Sequence, residues 1–287
     1  AVLARLALED WPTVGRAYLE AIASVADPQA IVAALCEHLL ARQHLSTDVW
    51  LGMRELGRRR WSLVITSIAA GLSGDEPVLS TAPAVVLSEI LAELARHQLP
   101  TAPAVHARLM SELVARPISS EVLGLLPNAA LGELFRVAWL RRNWRSIGFM
   151  IDHVDRATLA SAADIWHGDA PQRLDDFASS ASTDQLRTLI EVMIGAVPVD
   201  DRFVDLATRL GVVAPGHRAL EVVARRCSHN ALAELTAEPH EQLGRLIGTW
   251  WSDTVRHRLA RRQEAVPDRT TEQVLRFLQP AAPLCAQ

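Results

Sequence analysis

Apolar residues recur at helical spacing along almost the whole of this 287-residue chain, always in short stretches that are soon interrupted. Roughly sixteen to eighteen such stretches, mostly about 10–16 residues long, are separated by polar, Gly- or Pro-bearing breaks of about two to six residues. Period-2 runs of β-branched and aromatic residues bounded by turns do not occur, so the expected fold class is all-α. Connections this short make successive helices antiparallel. A closed bundle does not easily absorb so many short helices, whereas hairpins stacked in chain order bury each apolar face on the next. The expectation is an irregular, right-handed solenoid of helical hairpins. Residues 1–155 would form N-terminal repeats, 156–279 would continue them, and 280–287 would be a flexible tail.

Local chemistry places the helix starts. Asp27-Pro28, Ser46-Thr47-Asp48, Ser119 or Ser120, Asn128, Asp155, the Ser182-x-x-Gln185 capping box and Asp200 or Asp201 each precede an apolar periodic stretch. Breaks are expected around Gly57-Arg58-Arg59-Arg60, Gly71 to Pro77, Pro100 to Pro103 and Gly211 to Gly216. A long amphipathic helix is expected from Pro239 to about Gln263, and a last one over Thr271 to Leu278.

Three of the interruptions are followed by a tryptophan. Asp10-Trp11-Pro12-Thr13-Val14, Arg60-Trp61-Ser62-Leu63-Val64 and Asn143-Trp144-Arg145-Ser146-Ile147 each carry a β-branched residue three positions after the Trp, and apolar positions continue from there. The stretch Asp10 to Ile22 is similar to the inter-helix turn and second helix of a tetratricopeptide repeat, and Arg60 to Leu72 and Asn143 to Val154 resemble it less fully. The first-helix signature of that family is missing at all three places. Trp11 to Trp61 is 50 residues and Trp61 to Trp144 is 83; with Leu99 as a degenerate copy, the steps become 50, 38 and 45. Tetratricopeptide units recur about every 34 residues and HEAT-like units about every 40–47, so either kind of α-solenoid stays open. So does the simpler reading that a Trp fills an interhelical gap wherever a turn needs a large anchor. In both cases Trp11, Trp61 and Trp144 are read as structural anchors.

The net charge of −4 provides no bulk attraction to nucleic acid or anionic lipid, so an electrostatic partner must be met by a local patch. All 29 basic residues are Arg, a bias that GC-rich codon usage explains and that carries no function. The three cysteines, Cys36, Cys227 and Cys285, are too few and too uneven for a disulfide scaffold and fit a reducing compartment. Cys36 lies on an apolar helical face and is expected to be a small core residue. No apolar run approaches the roughly 20 residues of a membrane span, and the N-terminal residues lack a signal-peptide pattern. The chain reads as a soluble, cytoplasmic, bacterial-type protein, and as part of a larger one.

The arginines crowd the tryptophans: Arg58, Arg59 and Arg60 before Trp61; Arg141, Arg142 and Arg145 around Trp144; Arg256 and Arg258 after Trp250-Trp251. Hairpins stacked in register would place the first two clusters on one edge. Guanidinium forks there suit carboxylates or phosphates, although Arg at a helix C-terminus also serves simply to cap carbonyls. The expected function is a non-catalytic scaffold or recognition module with a protein or peptide partner. The alternative is a nucleic-acid-binding helical repeat using the same Arg and Trp pairs. A third reading, a metal-dependent all-α enzyme, would need Asp152, His153 and Asp169 to converge. Searches for Cys-x-x-Cys, His-Glu-x-x-His, Gly-x-Ser-x-Gly, Walker and dinucleotide motifs fail, so no cofactor is expected.

Overall fold

A computed structural model of the chain describes residues 11–56, 60–73, 76–97, 103–165 and 170–214, together with residues 222, 223, 226 and 245. Among these residues every regular element is helical. The thirteen α-helices are α1 (Trp11–Ser24), α2 (Gln29–Leu40), α3 (Thr47–Leu56), α4 (Trp61–Gly71), α5 (Ala84–Arg96), α6 (Pro103–Val114), α7 (Ser120–Leu125), α8 (Asn128–Leu140), α9 (Trp144–His153), α10 (Arg156–Ala160), α11 (Ala170–Ala178), α12 (Thr183–Ala196) and α13 (Asp201–Val213). Two 3-10 turns, Pro77–Thr81 and Ala163–Ile165, lie between them. The helices expected over 239–263 and 271–278 and the tail at 280–287 fall outside the described residues. No helix of the described residues is long and apolar enough to cross a membrane.

Most starts follow the local chemistry. Ser119 Oγ accepts the Val122 N–H, Asp155 accepts that of Thr158, and Asp200 accepts those of Arg202 and Phe203. Ser182 and Gln185 form the full reciprocal capping box. Asp155 is held below the usual carboxylate range by hydrogen bonds from the Thr158 hydroxyl and backbone. At Asp200 partial burial works the other way, but bonds from Arg202 and from backbone N–H groups prevail and lower it too. The start of α8 differs from expectation. Pro127 takes the cap position in extended backbone (φ −69°, ψ 155°) and Asn128 is already helical, because the ring of Pro127 sets the turn without a side-chain acceptor.

The chain divides into two compact units, residues 1–146 and 147–287, the division falling inside α9. In the first unit the core is Tyr18 and Ile22 of α1, Leu35 and Leu39 of α2, Trp50 of α3, Ile68 of α4, Leu87 of α5 and Phe135 of α8, all 2% exposed or less. In the second, Phe177, Leu189, Ile194 and Phe203 play that part.

Within each unit, side chains of one helix bond to a helix further along the chain. Cys36 Sγ on α2 donates to the Val64 carbonyl of α4. Trp61 and Thr66 of α4 donate in turn to Glu89 and Glu93 of α5. His106 and Ser111 of α6 meet Glu133 and Arg141, at α8 and just beyond it. In the second unit Asp152 and Arg156 meet Gln185 and Glu191 of α12, and Asp175 of α11 meets Arg209 of α13. Between α4 and α5 the 3-10 turn carries the chain back. Arg116 fastens it to the end of α6 by donating to the carbonyls of Leu79 and Ser80, at 3.2 and 2.7 Å.

Cys36 is 5% exposed, and burial pushes its thiol up to about 12. The thiolate is the reactive form, so in the native protein Cys36 should resist alkylation at about pH 8 and label only when the first unit unfolds. Peptide-level mass spectrometry after a pulse of iodoacetamide checks this, and rapid native labelling of Cys36 would contradict the buried placement.

Candidate functional site

The arginine clusters are the surface that the sequence singles out, and the structure describes one of them in full. Arg58, Arg59, Arg256 and Arg258 lie outside the described residues. Arg60 occupies the N-cap position of α4 and is half-buried. Arg141, Arg142 and Arg145 are exposed at the turn from α8 to α9. The shared edge expected from register is therefore described at its second cluster and at one residue of its first.

That turn is a Schellman arrangement. The Arg142 N–H donates to the Trp139 carbonyl at 3.1 Å, and the Asn143 N–H reaches back to the Ala138 carbonyl at 2.9 Å. Such a turn needs its C′ residue in the left-handed region, which glycine enters at no steric cost. Here the residue is Arg142, with φ 55°, the single non-glycine residue of positive φ among the described residues. Asn143 then does two things. Its Oδ1 accepts the Ser146 N–H at 3.2 Å, capping α9, and its Nδ2 donates to the Val114 carbonyl of α6 at 2.7 Å. Arg141 Nη2 donates to Ser111 Oγ, also on α6, at 2.6 Å. Leu140, just before the turn, is 60% exposed.

The tryptophans are placed differently from the arginines. Trp61 is 7% exposed, and its indole N–H donates to Glu89 Oε2 at 2.7 Å. Glu89 also accepts from Arg54 Nε at 2.9 Å, and Arg54 Nη2 reaches Glu121 at 3.0 Å, so α3, α4, α5 and α7 share one polar chain. Partial burial disfavours the Arg54 charge, but the bonds and charges of Glu89 and Glu121 outweigh it and raise its pKa. Trp144 is half-buried and meets the buried ring of Trp139 in a T-shaped contact, 5.6 Å between centroids at 71°. Trp11 begins α1, and its side chain is outside the described set.

The metal-site candidates are spent otherwise. Asp152 and His153 are exposed neighbours on α9. Asp152 accepts from Gln185 Nε2 at 2.7 Å, His153 Nδ1 lies 2.9 Å from the Phe149 carbonyl, and its ring stacks on Phe149 at 4.0 Å. Asp169 lies outside the described residues. Among the described residues no three His, Cys, Asp or Glu side chains converge.

The first unit also holds a groove of about 640 Å³, lined among others by His44, Thr47, Ser80, Glu112 and Arg116. Its two charges are committed, Arg116 pairing with Glu112 at 3.1 Å while fastening the 3-10 turn. The groove thus offers shape and hydroxyl groups rather than a net charge.

The sequence places Trp139 and Leu140 beside the arginines but gives neither the burial of the one nor the exposure of the other, and it does not foretell the backbone of Arg142. The first two looked like the ordinary end of α8. For Arg142 the available signal was negative: a helix ends at Leu140 with no glycine to take the left-handed position. No protein-family model, curated protein or solved structure matches this chain.

Proposed function

We propose that the chain is an α-solenoid of stacked helical hairpins with a tetratricopeptide-like step, acting as a non-catalytic protein- or peptide-recognition module. What supports the reading is the near-constant sequence distance over which its helices are joined. Cys36–Val64, Trp61–Glu89, Thr66–Glu93, His106–Glu133, Asn143–Val114, Gln185–Asp152, Arg156–Glu191 and Arg209–Asp175 link residues 27 to 35 apart. Arg116–Leu79 extends the range to 37, and Arg54–Glu121, at 67, is close to two such steps. Helices of a closed bundle meet over widely different separations, whereas in a stack each unit touches the next and the separation equals the unit length. The observed distance brackets the tetratricopeptide step of about 34 residues and falls short of the HEAT-like step of about 40–47.

A recognition role fits how the side chains are used. Acidic groups that could have served catalysis cap helices or hold neighbouring ones: Asp152 binds Gln185, Asp155 and Asp200 cap α10 and α13, and Asp205 pairs with Arg209. The rival nucleic-acid reading needs open aromatic faces for stacking, and Trp61 and Trp139 are buried.

The test is selection of peptides from a random displayed library against the whole chain, followed by anisotropy titration. A single-stranded oligonucleotide is titrated in parallel at about 50 and 200 mM salt. A peptide consensus with saturable binding, and no oligonucleotide binding at either salt, is the expected result. Failure to enrich any peptide would sink the reading, and oligonucleotide binding with a steep salt dependence would replace it with the rival.

A further inference from the structure

The turn between α8 and α9 places an arginine where glycine would be less strained, and it holds that arginine between two fixed points. On one side Arg141 is tied to Ser111; on the other Asn143 is tied to Val114, both partners lying on α6. Arg141, Arg142 and Arg145 are therefore exposed on a turn fixed by α6, the end of α8 and the first residues of α9, with Leu140 exposed beside them. Pre-organised cations lose less freedom on binding than cations on a loose loop.

We infer that this turn docks an acidic peptide segment, its carboxylates paired with Arg141, Arg142 and Arg145 and an aliphatic side chain laid against Leu140. The inference rests on the recognition-module reading and gives that module a site and a partner chemistry. Charge complementarity selects an anion, because the cluster places three exposed guanidiniums within five positions. Their planar forks match carboxylates two bonds at a time. The neighbouring aromatic rings select peptide over nucleic acid. Trp139 is 1% exposed, and Trp144 is half-buried in a T-shaped contact with it, so a flat base is offered far less stacking surface than a free indole presents. What is offered instead is the aliphatic surface of Leu140.

The probe is a fluorescein-labelled synthetic peptide of alternating glutamate and leucine, titrated against the full chain, with a polythymidine oligonucleotide of equal charge as comparison. Wild type should bind the peptide more tightly than the oligonucleotide, and less tightly as salt rises. Arg142→Gly should weaken peptide binding by about tenfold, which corresponds to about 1.4 kcal/mol. Its melting temperature should not fall, because glycine accepts the φ of this position. Arg145→Ala and Leu140→Ser, both exposed changes, should also weaken binding with little effect on melting. Peptide binding equal to wild type in all three variants would overturn the inference, and so would an oligonucleotide that binds as tightly as the peptide and is lost in the same variants. If library-selected peptides bind wild type and variants alike, this site falls and the recognition module stands. If neither selected nor acidic peptides bind, the module itself falls.

Discussion

Trp61→Ala should lower the unfolding free energy by about 3–5 kcal/mol, the range for removing a large aromatic side chain from a packed interior. The indole is 7% exposed at the start of α4, and it also donates to Glu89. Truncation thus leaves a cavity between α4 and α5 and removes one of the two donors that hold the Glu89 carboxylate. Trp61→Phe separates the terms: it keeps most of the apolar volume, and its cost should be nearer the 1–2 kcal/mol or so of a hydrogen bond to a charged group. Urea denaturation of both variants, followed by circular dichroism, measures the difference. A loss below about 1 kcal/mol for Trp61→Ala would show that the site collapses without cost, and the anchor role would then be untenable.

The second large effect belongs to Trp139. It is 1% exposed, against the half-burial of Trp144, and the two rings meet edge to face. Trp139→Ala is expected to cost about 3–5 kcal/mol and Trp144→Ala distinctly less, because Trp144 gives up less buried area. The rings touch, so the double variant should be non-additive by about 0.5–1.5 kcal/mol, the worth of an aromatic pair beyond its area. A four-way denaturation cycle measures the coupling. Equal losses for the two single variants, or strict additivity in the double, would contradict this division of labour.

What could be read from the sequence was the chemistry that closes over three or four residues. Ser119, Asp155, Ser182 with Gln185, and Asp200 are caps in the structure because a cap needs only its own side chain and the next turn of backbone. The burial of Cys36 followed from its place on an apolar stripe. Less legible were residues whose partners lie a helix or more away. Glu93 would be placed in solvent by composition, yet its side chain is 6% exposed, because Thr66, Arg96 and His97 surround it. Gln185 was visible as half of a capping box, but not as the group that also donates to the Gly148 carbonyl and to Asp152. At the candidate site the arginines could be named in advance. Their geometry could not, since Arg142 adopts a backbone that its residue type argues against and that only the Trp139 and Ala138 carbonyls dictate.

The distance over which the helices are joined also bears on how the chain acquires its structure during synthesis. A residue whose cross-helix partner lies 27 to 37 positions ahead, as in most of the named links, waits for only about a tenth of the chain to be made. Closing loops of that length is entropically cheap and fast. Each apolar helix face therefore finds its cover soon after it leaves the ribosome, before the later helices exist. The exception is Glu121, which Arg54 meets only after 67 residues. Of the named links, the polar chain through Trp61, Glu89 and Arg54 therefore spans the longest wait between its first residue and its last.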